Sequence, residues 1–258
     1  MGLCSGITLQ RGKQFTDWFF YVAILAIHFF TRKIPPRGEF EVKEPRKELK
    51  VAVLFAALGA LFIVGNLYLR STGEQVGFLV RLPLLLGMAL FTFPVGLALY
   101  LWRKKYKLPQ FGLAFRPVSF LFLGVLIWAL TGLFAFIFYR QGIIWAEGYE
   151  ELGGVAGMIW SGLIMAGLAE EFSRFVMQSR LQRVIHSSGF SILIATALWA
   201  FMHFPINYFK GSQVSSIIVY CIQIIPLGFI WGYLTHRTKS IVPSTLAHGF
   251  NLWGFQNG

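Results

Sequence analysis

Eight stretches of this chain are nearly free of charge and long enough, or almost long enough, to cross a lipid bilayer: residues 17–30, 51–69, 77–102, 118–139, 155–177, 189–204, 216–234 and 241–255. A crossing helix needs about 20 residues at roughly 1.5 Å each. The middle stretches meet that length, whereas the first and last need tilt or a contribution from their flanks. Only 13% of the 258 residues are charged and 56% are apolar, against about 25% and 45–50% in an ordinary soluble domain. That is too little polar surface to cover a globule in water. A disordered chain and a secreted disulfide scaffold are excluded as well, since Cys4 and Cys221 offer neither a framework nor metal-ligand spacing. The expected fold is all-α, a polytopic transmembrane helical bundle of about eight spans. Residues 1–117 hold three spans with basic loops and 118–258 hold five, in one integrated membrane domain.

The net charge of +12 would suggest nucleic acid in a soluble protein, but its placement argues otherwise. Loops 31–50 and 103–117, with Arg180, Arg183, Arg237 and Lys239, carry sixteen Lys and Arg. The alternate loops carry five: Arg11, Lys13, Arg70, Arg140 and Lys210. Strict alternation of this kind is the positive-inside pattern. It supports eight crossings, places both termini outside the cytoplasm, and makes the basic runs topology determinants beside anionic lipid. The expected partners are therefore the lipid bilayer and membrane-associated molecules, with no nucleic acid.

Against that background the informative residues are polar ones within apolar stretches. An ionisable side chain at mid-membrane costs about 2.5–3.5 kcal/mol on insertion scales. Residues 162–181 contain Glu170, Glu171 and Arg174 within five positions. The spacings i,i+4 and i,i+3 let Arg174 reach either carboxylate along a helix. Adjacent carboxylates project about 100° apart, so the expectation is that at most one faces a given cavity. His203 lies in the next stretch, one turn after Trp199, and His248 lies in the last, three residues before Asn251. His28, His186 and His236 fall at span ends or in loops and read as ordinary surface or core residues. Arg81 reads as a snorkelling or bundle-facing residue.

A carboxylate taken out of water becomes a stronger base. Glu170 and a histidine could hold a water poised to attack a carbonyl, and a ring N–H with an Asn amide could supply two donors to the oxyanion. No Ser, Cys or Asp stands beside a base as a nucleophile, which disfavours a covalent route. Glu170, His203 and His248 are also a possible zinc set, although a HExxH helix is absent.

The ordered motifs resemble the CAAX-protease and bacteriocin-processing (CPBP, or Abi) family of intramembrane glutamate-dependent endopeptidases, which includes the Rce1-like prenyl-protein proteases. The resemblance runs over roughly 118–258, with LPQFGLAFRP just before it. It implies water activation by Glu170 and His203, and oxyanion stabilisation by His248 and Asn251, with Glu171 and Arg174 completing the catalytic set. Three positions depart from the family pattern. Arg174 comes one residue early, Trp199 stands where Phe is usual, and Asn251 follows His248 by three residues instead of four. Glu150-Glu151 is a decoy in a Gly-rich outer loop. The implied substrate is a membrane-associated peptide or a prenylated, lipid-proximal protein, in what is expected to be a bacterial plasma membrane; zinc is left open. A non-catalytic binding or immunity protein using the same polar cavity is the alternative, and a proton-coupled transporter is a third reading.

Overall fold

In the computed structural model, residues 18–32, 40–72, 78–92, 95–114, 119–139, 149, 150 and 152–251 are described. Cys4, Arg11, Lys13, Arg37, Arg116, Arg140 and Glu151 lie outside them, as do residues 252–258. Every element among the described residues is helical: α1 (Trp18–Thr31), α2 (Pro45–Ser71), α3 (Phe78–Gly87), α4 (Val95–Arg103), α5 (Ser119–Tyr139), α6 (Gly154–Ile185), α7 (Ser188–Phe201), α8 (Phe204–Phe209), α9 (Val214–Thr238) and α10 (Val242–Asn251). By length and composition α2, α6, the run Ser188–Phe209 and α9 can each cross a membrane, and Arg81–Phe91 with Val95–Arg103 makes a fifth if that bent pair is one span. The all-α membrane fold therefore stands, while the count of eight is not confirmed. The last apolar stretch is described only as far as Asn251. Its described helix, α10, has ten residues, which rise about 15 Å, half the hydrocarbon thickness.

The chain divides into two compact units. One comprises residues 1–38, 113–171 and 233–258, and the other 39–112 and 172–232.

In the first unit, α10 packs on α5 and on the first part of α6. Ser240 Oγ accepts from the Val242 N–H at 3.2 Å and donates to the Ala114 carbonyl at 2.6 Å, which fixes where α10 begins. Pro243 occupies the first turn, where its missing N–H costs nothing. Gly124 of α5 lies directly under Pro243, whose carbonyl would collide with any side chain there. The end of α9 is tied to α1 by Arg237, whose guanidinium donates to Thr31 Oγ1 at 2.9 Å and to the Thr31 carbonyl at 3.1 Å.

In the second unit, α2 packs against α3, against a π-helical turn at Met88–Thr92, and against α8. Phe91 stacks on Phe62 and meets Phe55 edge-on. The start of α2 and the end of α6 are joined by a buried polar network. Arg180 Nε donates to Glu48 Oε2 at 3.0 Å, and the Tyr106 hydroxyl donates to Glu48 Oε1 at 2.7 Å. Both charged residues are only 1% exposed, so each depends on the other for its solvation. Elsewhere α2 turns Val53, Leu54 and Leu61 outward, as a lipid-facing helix does.

Candidate active site

Helix α6 is α-helical at Gly154–Met158, π-helical at Ile159–Glu170 and α-helical again at Glu171–Ile185. A π-helix bonds each N–H to the fifth carbonyl back and is rare outside functional segments. Its residues align at i,i+5, so Gly162 and Gly167 share one face. Helix α10 lies against that face. A Cβ on Gly167 would sit 2.7 Å from the Thr245 carbonyl oxygen, and one on Gly249 would sit 2.8 Å from the Gly162 carbonyl oxygen. Glycine on both helices allows this backbone approach, as small residues do between membrane helices. The five-residue spacing Gly162–Gly167 was a signal for this seam that a 3.6-residue period cannot register.

The seam delivers His248, the neighbour of Gly249, to the end of the π segment. His248 is 2% exposed. Its Nδ1 is 3.0 Å from Glu171 Oε1, and its Nε2 is 3.8 Å from Glu170 Oε2. The two carboxylates thus meet one imidazole. An imidazole carries nitrogens on two edges, so neighbours that project in different directions along a helix can both reach it. Their environments differ sharply: the Glu171 side chain is 1% exposed and that of Glu170 is 35% exposed. Nδ1 is thus directed at the buried carboxylate and Nε2 at the accessible one. Asn251, one turn further along α10, is 4% exposed, and its Oδ1 has no hydrogen-bond partner among the described residues.

Arg174 and His203 belong to the second unit. The Arg174 guanidinium donates to the Gly228 carbonyl of α9, with its carbon 5.8 Å from the Trp199 ring and 5.9 Å from the Trp231 ring. One turn on, Gln178 Nε2 donates to the Gly232 carbonyl at 3.1 Å. Two i,i+4 pairs are therefore laddered, 174/178 on α6 against 228/232 on α9. Glycine leaves both carbonyls open to a side-chain donor; a Cβ on Gly228 would meet Thr196 and Trp199, and one on Gly232 would meet Ile192. The sequence reading missed this ladder, whose signal is the G-x-x-x-G spacing within an apolar helix.

His203 stands at the break between α7 and α8, with Pro205 in the first turn of α8. Its Nδ1 lies 3.1 Å from the Trp199 carbonyl, which accepts the ring proton and leaves Nε2 as the basic nitrogen. The ring meets Trp199 edge-on at 5.0 Å and Tyr220 at 6.2 Å. Trp199 thus touches both Arg174 and His203. Among the described residues no three His, Cys, Asp or Glu side chains converge to hold a metal ion.

Residues 153–253 match the family model for the type II CAAX prenyl endopeptidase, Rce1-like. Over those residues, fewer than half of the chain, the sequence is similar to that family. No curated protein and no solved structure matches the chain. The Rce1-like segment runs from the start of α6 through α10, narrower than the 118–258 suggested by the motifs. It contains Glu170, Glu171, Arg174, His203, His248 and Asn251. The similarity is to a family described as type II CAAX prenyl endopeptidases.

Proposed function

We propose that this protein hydrolyses a peptide bond of a membrane-associated peptide or a prenylated, lipid-proximal protein, with Glu170 as the general base on a water molecule. The observation that carries this reading is His248, braced through Nδ1 on the buried Glu171 and facing the accessible Glu170 through Nε2. A separation of 3.8 Å is too long for a direct hydrogen bond and suits a bridging water. Glu170 takes that water's proton as its oxygen bonds to the scissile carbonyl carbon. The carbonyl electrons move onto oxygen, and Asn251 donates an amide N–H to the oxyanion. As the carbonyl re-forms, the C–N bond breaks and Glu170 returns the proton to the departing amine. Glu171 is a positioning residue: it sets the tautomer and the angle of the His248 ring and touches no reacting atom.

His203 and Arg174 enter the proposal through the motif pattern. In that pattern His203 is the histidine of the second motif and Arg174 the cation that follows the paired carboxylates.

The test uses the full chain in nanodiscs with quenched peptides bearing a prenylated C-terminal cysteine, alongside peptidomics of membranes carrying wild type or Glu170→Gln. Glu170→Gln should abolish turnover with unchanged expression and melting. Equal product from both proteins would defeat the assignment. Identical peptidomes, with the variant still complementing a deletion, would make the chain a binding protein.

A further inference from the structure

The mechanism uses none of the basic residues at the ends of α2 and α6. Within the second unit these ends frame an open cavity of about 380 Å³, lined by Arg46, Lys47, Arg183 and His186 together with Glu44. Glu44 is the sole carboxylate of the lining, and its two oxygens are engaged, Oε1 by Lys47 and Oε2 by Lys104. Those lysines hold its carboxyl at about 2, so it remains a neutralised partner in the ion pair. The positive excess of the cavity therefore comes from the two arginines. Arg46 and His186 are exposed, and Arg183 is fixed by the bond from its Nε to the Phe40 carbonyl at 3.0 Å. His186 itself takes a left-handed backbone, φ 58°, at a helix end where glycine is the easier residue.

The depth of this cavity is set by the spans. The apolar stretch of α2 begins near residue 51 and that of α6 ends near residue 177, so the lining residues 44–47 and 183–186 lie together just beyond the apolar ends of two candidate spans. Ile185 is 39% exposed beside the cavity residues. A ligand there meets cations on one side and hydrocarbon on the other. The alternation of basic loops places that level on the cytoplasmic face, where anionic lipid is found.

We propose that the cavity lined by Arg46, Lys47, Arg183 and His186 is a binding site for the phosphate headgroup of an anionic membrane lipid. A free phosphate offers the same anion without the acyl chains, and it is the lipid that satisfies both surfaces. The inference rests on the membrane-spanning reading and its orientation, and is independent of whether the protein cleaves peptides.

The experiment titrates delipidated full-length protein with phosphatidylglycerol, with phosphatidylcholine, or with inorganic phosphate as competitor, and counts bound lipid by native mass spectrometry. Phosphatidylglycerol should be retained in preference to phosphatidylcholine. Arg46→Gln should weaken it about fivefold, and Arg46→Gln with Arg183→Gln by more than the single change. Arg103→Gln, a basic change outside the cavity, should leave retention unchanged. Arg46→Gln alone keeps the test valid should loss of the Arg183–Phe40 bond unfold the double variant. Equal retention of the two lipids, equal loss in Arg103→Gln, or displacement by inorganic phosphate would each overturn the proposal.

Discussion

Adding a single methyl group at Gly249 tests the link between the glycine seam and the site. The new Cβ would sit 2.8 Å from the Gly162 carbonyl oxygen and 2.8 Å from Leu163 Cδ2. The leucine can rotate away, but the backbone oxygen cannot. Ordinary contact begins at 3.4 Å, so α10 must retreat by about 0.6 Å at this point. His248 is the adjacent residue. If the retreat falls along its bond to Glu171, the 3.0 Å separation opens to about 3.6 Å, beyond hydrogen-bond range. Overpacking costs about 1–3 kcal/mol and a lost hydrogen bond to a charged group about 1.5–3 kcal/mol. These overlap, giving an expected destabilisation of about 2 kcal/mol. Turnover should fall further, by about 10²-fold, because misplacing a reacting group by a fraction of an ångström to 1 Å costs that much. Apparent melting in nanodiscs reads the first effect and peptide hydrolysis the second. Gly189→Ala is the matched control. Its Cβ meets nothing within 4 Å, and alanine in a helix should be neutral or stabilise by about 0.5–1 kcal/mol. A Gly249→Ala protein that melts and turns over like wild type would refute the argument that the seam positions His248.

Three further outcomes follow from the second unit. Glu48→Gln strands a buried Arg180 and should destabilise by about 3–5 kcal/mol, while Glu48→Leu combined with Arg180→Met should recover most of that loss in thermal unfolding. Hydrogen bonds from Lys104 and Lys47 hold the Glu44 carboxyl at about 2, below its ordinary 4.5. The stability this gives is complete above about 4.5 and is lost as pH falls from there toward 2, so Glu44→Gln should flatten that part of an acid-unfolding profile. Burial pushes the Tyr106 phenol up to about 12, the Glu48 hydrogen bond also raising it while the Lys43 N–H lowers it. Stability from its neutral form is complete below about 10 and lost as pH rises toward 12. Difference absorbance between wild type and Tyr106→Phe should show one phenol titrating near 12, and a midpoint near 10 would contradict the burial.

What the sequence revealed and what it hid follow from two different periodicities. Hydropathy identified the membrane class at once, since a chain this poor in charge has no other way to satisfy its surface. The candidate residues were legible as polar groups in separate apolar stretches, but the sequence placed His203 beside Glu170 and gave His248 to the oxyanion, so the contact of His248 with both carboxylates was not foreseen. The geometry that joins them was hidden. A 3.6-residue reading of α6 places Gly162 and Gly167 on different faces, and only the π register aligns them against α10. An apolar window likewise does not show where a helix breaks. The stretch 189–204 breaks at Met202–His203 and resumes to Phe209, and the last stretch supplies a described helix of only ten residues.

The threading of the chain has a consequence for biosynthesis. The first unit is assembled from three separate segments, with 172–232 of the second unit between its last two. The contact between Glu171 and His248 spans 77 positions. A ribosome adding about 5–20 residues per second needs several seconds to bridge that interval, and the loop-closure entropy must be overcome before the contact forms. A nascent chain that has already inserted Glu170 and Glu171 therefore lacks the imidazole that braces them. In the proposed mechanism, Glu170 and Glu171 can act only after His248 has been made and packed against them.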